Sequence, residues 1–197
     1  MCSRYYIDNS MLDLMNIPVA HSSQSVMRVP PHDVCPGQCA PVIAQERHEL
    51  SLREMKWGFP QLRGKGLFIN ARAETALQKR TFSESVLYRR CVISAVHFYE
   101  WDAEKNRVTF SKKDAGLLYM AGFFDLYQEE SRFVILTTQA NPSVAPVHER
   151  MPLILGSEDV EPWICRQELT ESFLQKVPAA LTRTQEYEQQ NLFDYYR

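Results

Sequence analysis

The chain contains no apolar run approaching the roughly 18 residues that a membrane helix needs, and no basic, apolar, small-residue leader opens it. These absences predict a protein with no membrane partner that stays in the cytoplasm. Its five cysteines (Cys2, Cys35, Cys39, Cys91 and Cys165) are an odd number without framework spacing. That argues against a disulfide scaffold and for a reducing compartment, with Cys91 packed in a core strand. His32, Cys35 and Cys39 are the nearest thing to a metal motif, but the second ligand pair is missing, so no metal site is expected. A net charge of −2 excludes a uniformly basic nucleic-acid binder. Repeats, low-complexity linkers and any sign of a second domain are also lacking.

The 197 residues, 45% hydrophobic and 23% charged, suffice for one domain with a real core. Charge is segregated along the chain. Residues 61–92 carry Arg63, Lys65, Arg72, Lys79, Arg80, Arg89 and Arg90 against Glu74 and Glu84, a local +5. Residues 156–197 carry eight acids and four bases and read as an acidic helical appendage, packed on the domain or trailing from it. A local basic face can neutralise phosphates whatever the total charge, because screening confines the relevant field to about 10 Å at moderate salt.

Pro41 to Glu46 and Glu49 to Trp57 read as a hairpin around a polar turn. Ala73 to Arg90 is the best helical stretch, broken near Thr81 to Ser83, where Ser83 is placed to cap a second helix beginning at Glu84. Four runs follow, CVISAVHFYEW, RVTFSKK, LLYMAGFFDLY and FVILTTQ, and MPLIL is a further buried strand. Their β-branched and aromatic content and short polar connections favour antiparallel pairing. QANPSVAPVHER is a proline-bearing loop, and the chain ends in short helices and a polar, aromatic tail, EYEQQNLFDYYR.

Cys2 would become N-terminal on removal of Met1, placing a thiol and a free α-amine on one carbon. With reference pKa values of about 8 and about 8.5, both have an appreciable nucleophilic fraction near neutral pH. The amine condenses with an aldehyde to a Schiff base, and the thiol closes a thiazolidine ring on the imine carbon. Alternatively the amine serves as base for the thiol, as in N-terminal nucleophile hydrolases. Three polar residues fall where a strand-rich core wants apolar ones: Asn70 in LFINAR, Glu100 in HFYEW, and His148 between VAPV and ERMPLIL. A shared polar pocket would justify them, and so would separate satisfaction within the core; spacing does not decide. Desolvation between Tyr99 and Trp101 would raise the pKa of Glu100, as suits a proton carrier near neutral pH, and His148 is the other natural carrier.

In order along the chain, MCSRY, VCPG, MKWGFP, INARAET, RRCVISAVHFYEW, AGFFD and TTQANPSVAPVHERMPLIL together resemble the SOS response-associated peptidase (SRAP) family over about four-fifths of the sequence. The resemblance implies a single α+β domain with a barrel-like, mainly antiparallel sheet core and peripheral short helices. It implies a sensor of abasic sites in single-stranded DNA that cross-links to them in the DNA damage response. It also implies roles for Cys2, Asn70, Glu100 and His148. On that reading His148 and Glu100 promote opening of the abasic sugar and relay protons, Asn70 orients the Cys2 amine, and Cys2 forms the adduct. Arg4 and Arg72, each beside a proposed active-site residue, are the choices for phosphate contacts, while Trp57 and Phe59 are placed to stack on unpaired bases or wedge beside the lesion, with ordinary core packing the alternative for Trp57. The protein is expected to act as a monomer without a cofactor. The alternative is a thiol peptidase or amidohydrolase in which Cys2 attacks an amide, the Met1–Cys2 bond included. The chain departs from the family pattern at Ser3, where glycine is usual, at Val96 and His97, where Asp-Gly is common, and at Asp33, where asparagine is usual.

Overall fold

The computed structural model describes residues 2–9, 30–61 and 64–185. Met1, Arg63 and the tail EYEQQNLFDYYR lie outside them. The chain enters on β1 (Tyr5–Ile7) and β2 (His32–Val34), which pair antiparallel. Next comes the expected hairpin, β3 (Cys39–Glu46) and β4 (Glu49–Trp57), in register from Cys39 opposite Lys56 to Glu46 opposite Glu49. Its turn residues Arg47 and His48 take φ of 48° and 71°. Positive φ at both positions makes the mirror-image two-residue turn whose twist matches that of the strands it joins. Beyond it Gly58, at φ 107°, swings the chain into β5 (Phe59–Pro60), which pairs β6 (Leu67–Phe68). A Cβ at Gly58 would stand 3.0 Å from Leu67 Cβ.

β7 (Asn70–Arg72) runs directly into α1 (Ala73–Ala76), and α2 (Ser83–Tyr88) follows a break. The interruption falls where the sequence indicates, but Phe82 rather than Ser83 occupies the cap position and no side chain caps α2. CVISAVHFYEW reads as one continuous run, yet the structure divides it into β8 (Arg90–Ala95) and β9 (His97–Trp101), which lie in different sheets. At Val96 the chain crosses between them, its N–H donating to the Tyr6 carbonyl at 3.0 Å. The remaining elements are β10 (Arg107–Ser111), β11 (Leu118–Tyr127), β12 (Glu130–Gln139), β13 (Arg150–Pro152), β14 (Ile154–Leu155), α3 (Val160–Cys165), α4 (Thr170–Leu174) and β15 (Thr182–Gln185).

β12 pairs antiparallel with β11 and parallel with β4, and the pairs β4–β3, β3–β8 and β8–β11 complete a closed barrel of five strands. Closure removes the unpaired edges an open sheet would expose. The barrel's strands carry wholly buried Val42, Ile43, Val92, Ile93, Phe123, Val134 and Ile135, which alternation divides between the barrel interior and the layer packed outside it, each such side chain contributing about 1.5–3 kcal/mol. Gly122 sits where β8, β11 and β12 crowd: a Cβ there would lie 2.7 Å from Ile93 Cδ1 and from the Val134 carbonyl oxygen. Two parallel pairings of β12, with β4 and with β7, interrupt the otherwise antiparallel order.

The second sheet has the order β15-β10-β9-β1-β2. Tyr5 stands opposite Phe98 and Tyr6 opposite His97, so alternation sends Tyr5, Ile7, Phe98 and Glu100 to the buried face and Arg4, Tyr6, His97, Tyr99 and Trp101 to the other. The acidic part is packed on the domain through its last described residues, which form β15 against β10 rather than a helix: Trp163 of α3 is buried and its Nε1 donates to the Cys91 carbonyl at 2.9 Å, and Asn141 donates to the carbonyls of Pro178 and Ala179. The architecture is α+β, a closed and mainly antiparallel barrel with short helices at its periphery.

Candidate active site

Four separate segments deliver four polar residues to the seam between the small sheet and the barrel. Cys2, on the lead into β1, is wholly buried, its Sγ turned toward the Arg4 carbonyl at 3.8 Å. Asn70, at the start of β7, reaches across 68 residues of sequence to donate from Nδ2 to the Cys2 carbonyl at 2.7 Å. The expected contact was with the Cys2 nitrogen; the observed one is with its carbonyl. Asn70 Oδ1 is buried and has no hydrogen-bond partner among the described residues.

Glu100, on the inward face of β9, is 3% exposed. Burial raises its carboxyl pKa above the usual range, and the nearby charge of His148 acts against that rise. The Cys2 thiol is pushed far up, first by burial and then by the negative charge of Glu100. His148 lies half-buried in the loop between β12 and β13, where its Nδ1 accepts the Arg150 N–H at 2.9 Å. The same nitrogen stands 3.2 Å from the Arg150 carbonyl oxygen, so the ring is fixed against the Arg150 backbone through Nδ1. The four sequence-selected polar residues thus form a chain of neighbours, Asn70 hydrogen-bonded to Cys2, Cys2 within the field of Glu100, and Glu100 within that of His148. Chemically the cluster offers a thiol, an amide, and two proton carriers in a desolvated setting.

The four side chains assigned to DNA are placed unevenly. Arg4 is partly exposed, 3.7 Å from Asp33 and stacked over the Trp101 ring at 5.5 Å. Arg72 is exposed at the end of β7 and, with Lys79, flanks a cavity of about 350 Å³. Trp57 and Phe59 require correction, since both are wholly buried. Trp57 stacks on Phe133 and donates from Nε1 to the Ile69 carbonyl at 2.9 Å, while Phe59 packs among Phe82, Phe123 and Tyr127. Neither presents a face on which a base could stack. The basic stretch divides in the same way. Lys65, Arg72, Lys79 and Arg80 are exposed, whereas Arg89 pairs Glu84 and Asp125, and buried Arg90 donates to the carbonyls of Leu87, Trp163 and Ile164.

His97 points to the face opposite Glu100. It stacks on Tyr6 at 4.7 Å and meets the Tyr99 hydroxyl at 2.8 Å, and that hydroxyl donates to Asp33 at 3.0 Å. Two residues near the site escaped the sequence reading. Arg150 clamps Glu74 with two hydrogen bonds of 2.8 and 2.7 Å and so ties β13 to α1; its nearness to His148 in sequence was the available signal. Tyr5 is buried beside the cluster, and its alternation with Ile7 was the corresponding clue. Among the described residues no group of three or more His, Cys, Asp or Glu side chains is placed to hold a metal ion, and no helix is long and apolar enough to cross a membrane.

The sequence model of the SOS response associated peptidase family (SRAP) matches residues 1–192. The chain belongs to this family. Its SRAP relatives include the abasic site processing protein YoaM of Bacillus subtilis, 25% identical over 192 residues, covering 90% of this chain and 85% of that one. The abasic site processing protein YedK of Escherichia coli is 29% identical over 147 residues, covering 71% and 66%. Among solved structures, a protein of Bordetella bronchiseptica superposes with a TM-score of 0.77 at 25% identity, over 93% of this chain and 99% of that one. A Bacteroides thetaiotaomicron protein, TM-score 0.66 at 23% identity over 78% and 77%, shares the fold.

Proposed function

We propose that this SRAP protein processes abasic sites in single-stranded DNA by forming a covalent thiazolidine cross-link through Cys2 once Met1 has been removed. The observation that carries the reading is the convergence of Asn70, Glu100 and His148 on Cys2 from three other segments. Removal of Met1 comes first, because an amide nitrogen does not condense with an aldehyde. The freed amine then attacks C1′ of the ring-opened sugar. His148 protonates the departing ring oxygen, and Glu100, whose carboxyl pKa burial raises, relays protons as the carbinolamine loses water. Asn70 Nδ2 keeps the Cys2 carbonyl in place while its Oδ1, without a partner among the described residues, offers an acceptor to the amine. Finally Sγ bonds to the imine carbon and its proton passes to the nitrogen. Arg4 and Arg72 hold flanking phosphates. Both are exposed enough to do so. The protein acts in the cytoplasm as a monomer, without a cofactor.

Intact-mass spectrometry with and without a single-stranded oligonucleotide bearing one abasic site tests this. The expected product lacks Met1 and has the summed mass of protein and DNA less one water. Turnover of a labelled peptide with no DNA adduct would replace the reading with the thiol peptidase one.

A further inference from the structure

Strand alternation turns Tyr5 into the interior, where it is wholly buried with its ring 5.2 Å from that of Trp57. Its hydroxyl is buried too and has no hydrogen-bond partner among the described residues. Phenylalanine would fill the same space without leaving a donor unpaired, so nothing in the packing calls for the oxygen. What surrounds the ring does. Cys2 Sγ is folded back onto the Arg4 carbonyl, the group bonded to the Tyr5 nitrogen. Glu100 follows Phe98, the cross-strand partner of Tyr5, by two residues and shares its face. The buried thiols on the segments that meet β1 are Cys2, on its lead, and Cys91, on β8; Cys91 is held within the barrel and only Cys2 has a reaction to perform.

Resting on the cross-linking reading, we propose that Tyr5 is a positioning residue for ring closure: its unpaired hydroxyl donates a hydrogen bond, directly or through one water, to the Cys2 sulfur as that sulfur turns to the imine carbon. In that step the Sγ–C1′ bond forms and the Sγ–H bond breaks. The proton passes by way of Glu100 to the imine nitrogen, which becomes the ring N–H, and Tyr5 keeps its own proton throughout. A donor facing the sulfur offsets what burial and the Glu100 carboxylate impose on the thiolate. The ionisable groups facing this step are Glu100 on β9, His148 in the loop before β13, and Cys91 on β8, with Asn70 as the neutral neighbour on β7.

Tyr5→Phe tests the proposal, since it removes one oxygen and keeps the ring. Borohydride-trapped Schiff base and heat-stable adduct are measured in the same single-turnover reactions with abasic single-stranded DNA, across pH. In the variant the ratio of ring closure to Schiff-base formation falls about tenfold or more, as for loss of a hydrogen bond to a charged group. The rise of closure with pH moves to higher pH. Thermal unfolding midpoints are equal or higher, because a buried unpaired hydroxyl is gone. A parental ratio and pH profile in Tyr5→Phe overturns the role of the hydroxyl while leaving cross-linking intact. Absence of both products with the parent protein overturns the cross-linking reading, and this inference with it.

Discussion

Asn70 and Cys2 are joined by a 2.7 Å hydrogen bond from the Asn70 amide to the Cys2 carbonyl, so the strand that leads into α1 sets the position of the chain's second residue. The other half of the amide, Oδ1, is buried and unpaired. Asn70→Asp keeps the shape but replaces the donor with a second carboxylate near Glu100. Asn70→Ala removes both contacts. Each is expected to slow adduct formation by about tenfold or more, the range for loss of one or two positioning hydrogen bonds. The aspartate variant should be the slower because of like-charge repulsion. Single-turnover rates with abasic single-stranded DNA check this, and equal rates for all three proteins would remove Asn70 from the reaction.

Cys2 supplies both nucleophiles, and substitution separates them. Cys2→Ser retains the amine and is expected to give a borohydride-trappable Schiff base but no heat-stable adduct. A residue inserted before Cys2 that resists removal should abolish both products. Gel analysis after heating, with and without borohydride, reads both outcomes. A heat-stable adduct in Cys2→Ser would be incompatible with a thiazolidine.

Glu100 should reveal itself in stability as well as in rate. Burial raises its folded-state pKa above the unfolded value. A carboxyl shifted in this direction adds stability below the ordinary carboxylate pKa of about 4.3, and that contribution is lost as pH rises through the raised value. Glu100→Gln is therefore expected to be more stable than the parent near neutral pH, with the advantage vanishing in acid. Its cross-linking should slow by about 10² or more, the usual contribution of a general acid or base. Thermal unfolding against pH together with adduct rates tests both halves. A less stable variant with a normal rate would return Glu100 to a purely structural role.

The legible parts of this fold are those written locally. The β3–β4 hairpin shows in its two apolar runs and short polar turn, and the break before α2 shows in Thr81 to Ser83. Asn70, Glu100 and His148 stood out because polar groups inside apolar runs demand partners. Barrel closure was hidden, since the parallel contact of Arg132 with Lys56 joins segments far apart in sequence and no local pattern marks it. The crossing at Val96 was hidden too, because β-branched and aromatic residues continue on both sides of it. Residue type does not decide the side for Trp57 and Phe59: a large aromatic ring serves equally as core filling or as a stacking surface, and only the packing of Phe133, Phe123 and Tyr127 around them decides. Tyr5 was passed over for the converse reason, its hydroxyl invisible in a strand that reads as core.

Charge counting likewise merged two populations that the structure separates, and salt dependence distinguishes them. Arg72 and Lys79 are exposed around one cavity, whereas Arg90 is buried against backbone carbonyls. If the exposed pair contacts phosphates, affinity for undamaged single-stranded DNA falls with salt, and Arg72→Ala and Lys79→Ala each lower the log–log slope by about 0.7. The loss should be nearly independent of base sequence. Arg90→Met should leave the slope of the folded protein unchanged but reduce stability, because the carbonyls of Leu87, Trp163 and Ile164 lose their donor. Binding isotherms at several salt concentrations, paired with thermal unfolding, measure the two effects separately. A full parental slope in both alanine variants would move the phosphate track away from α1 and leave Arg4 as its remaining anchor beside Cys2.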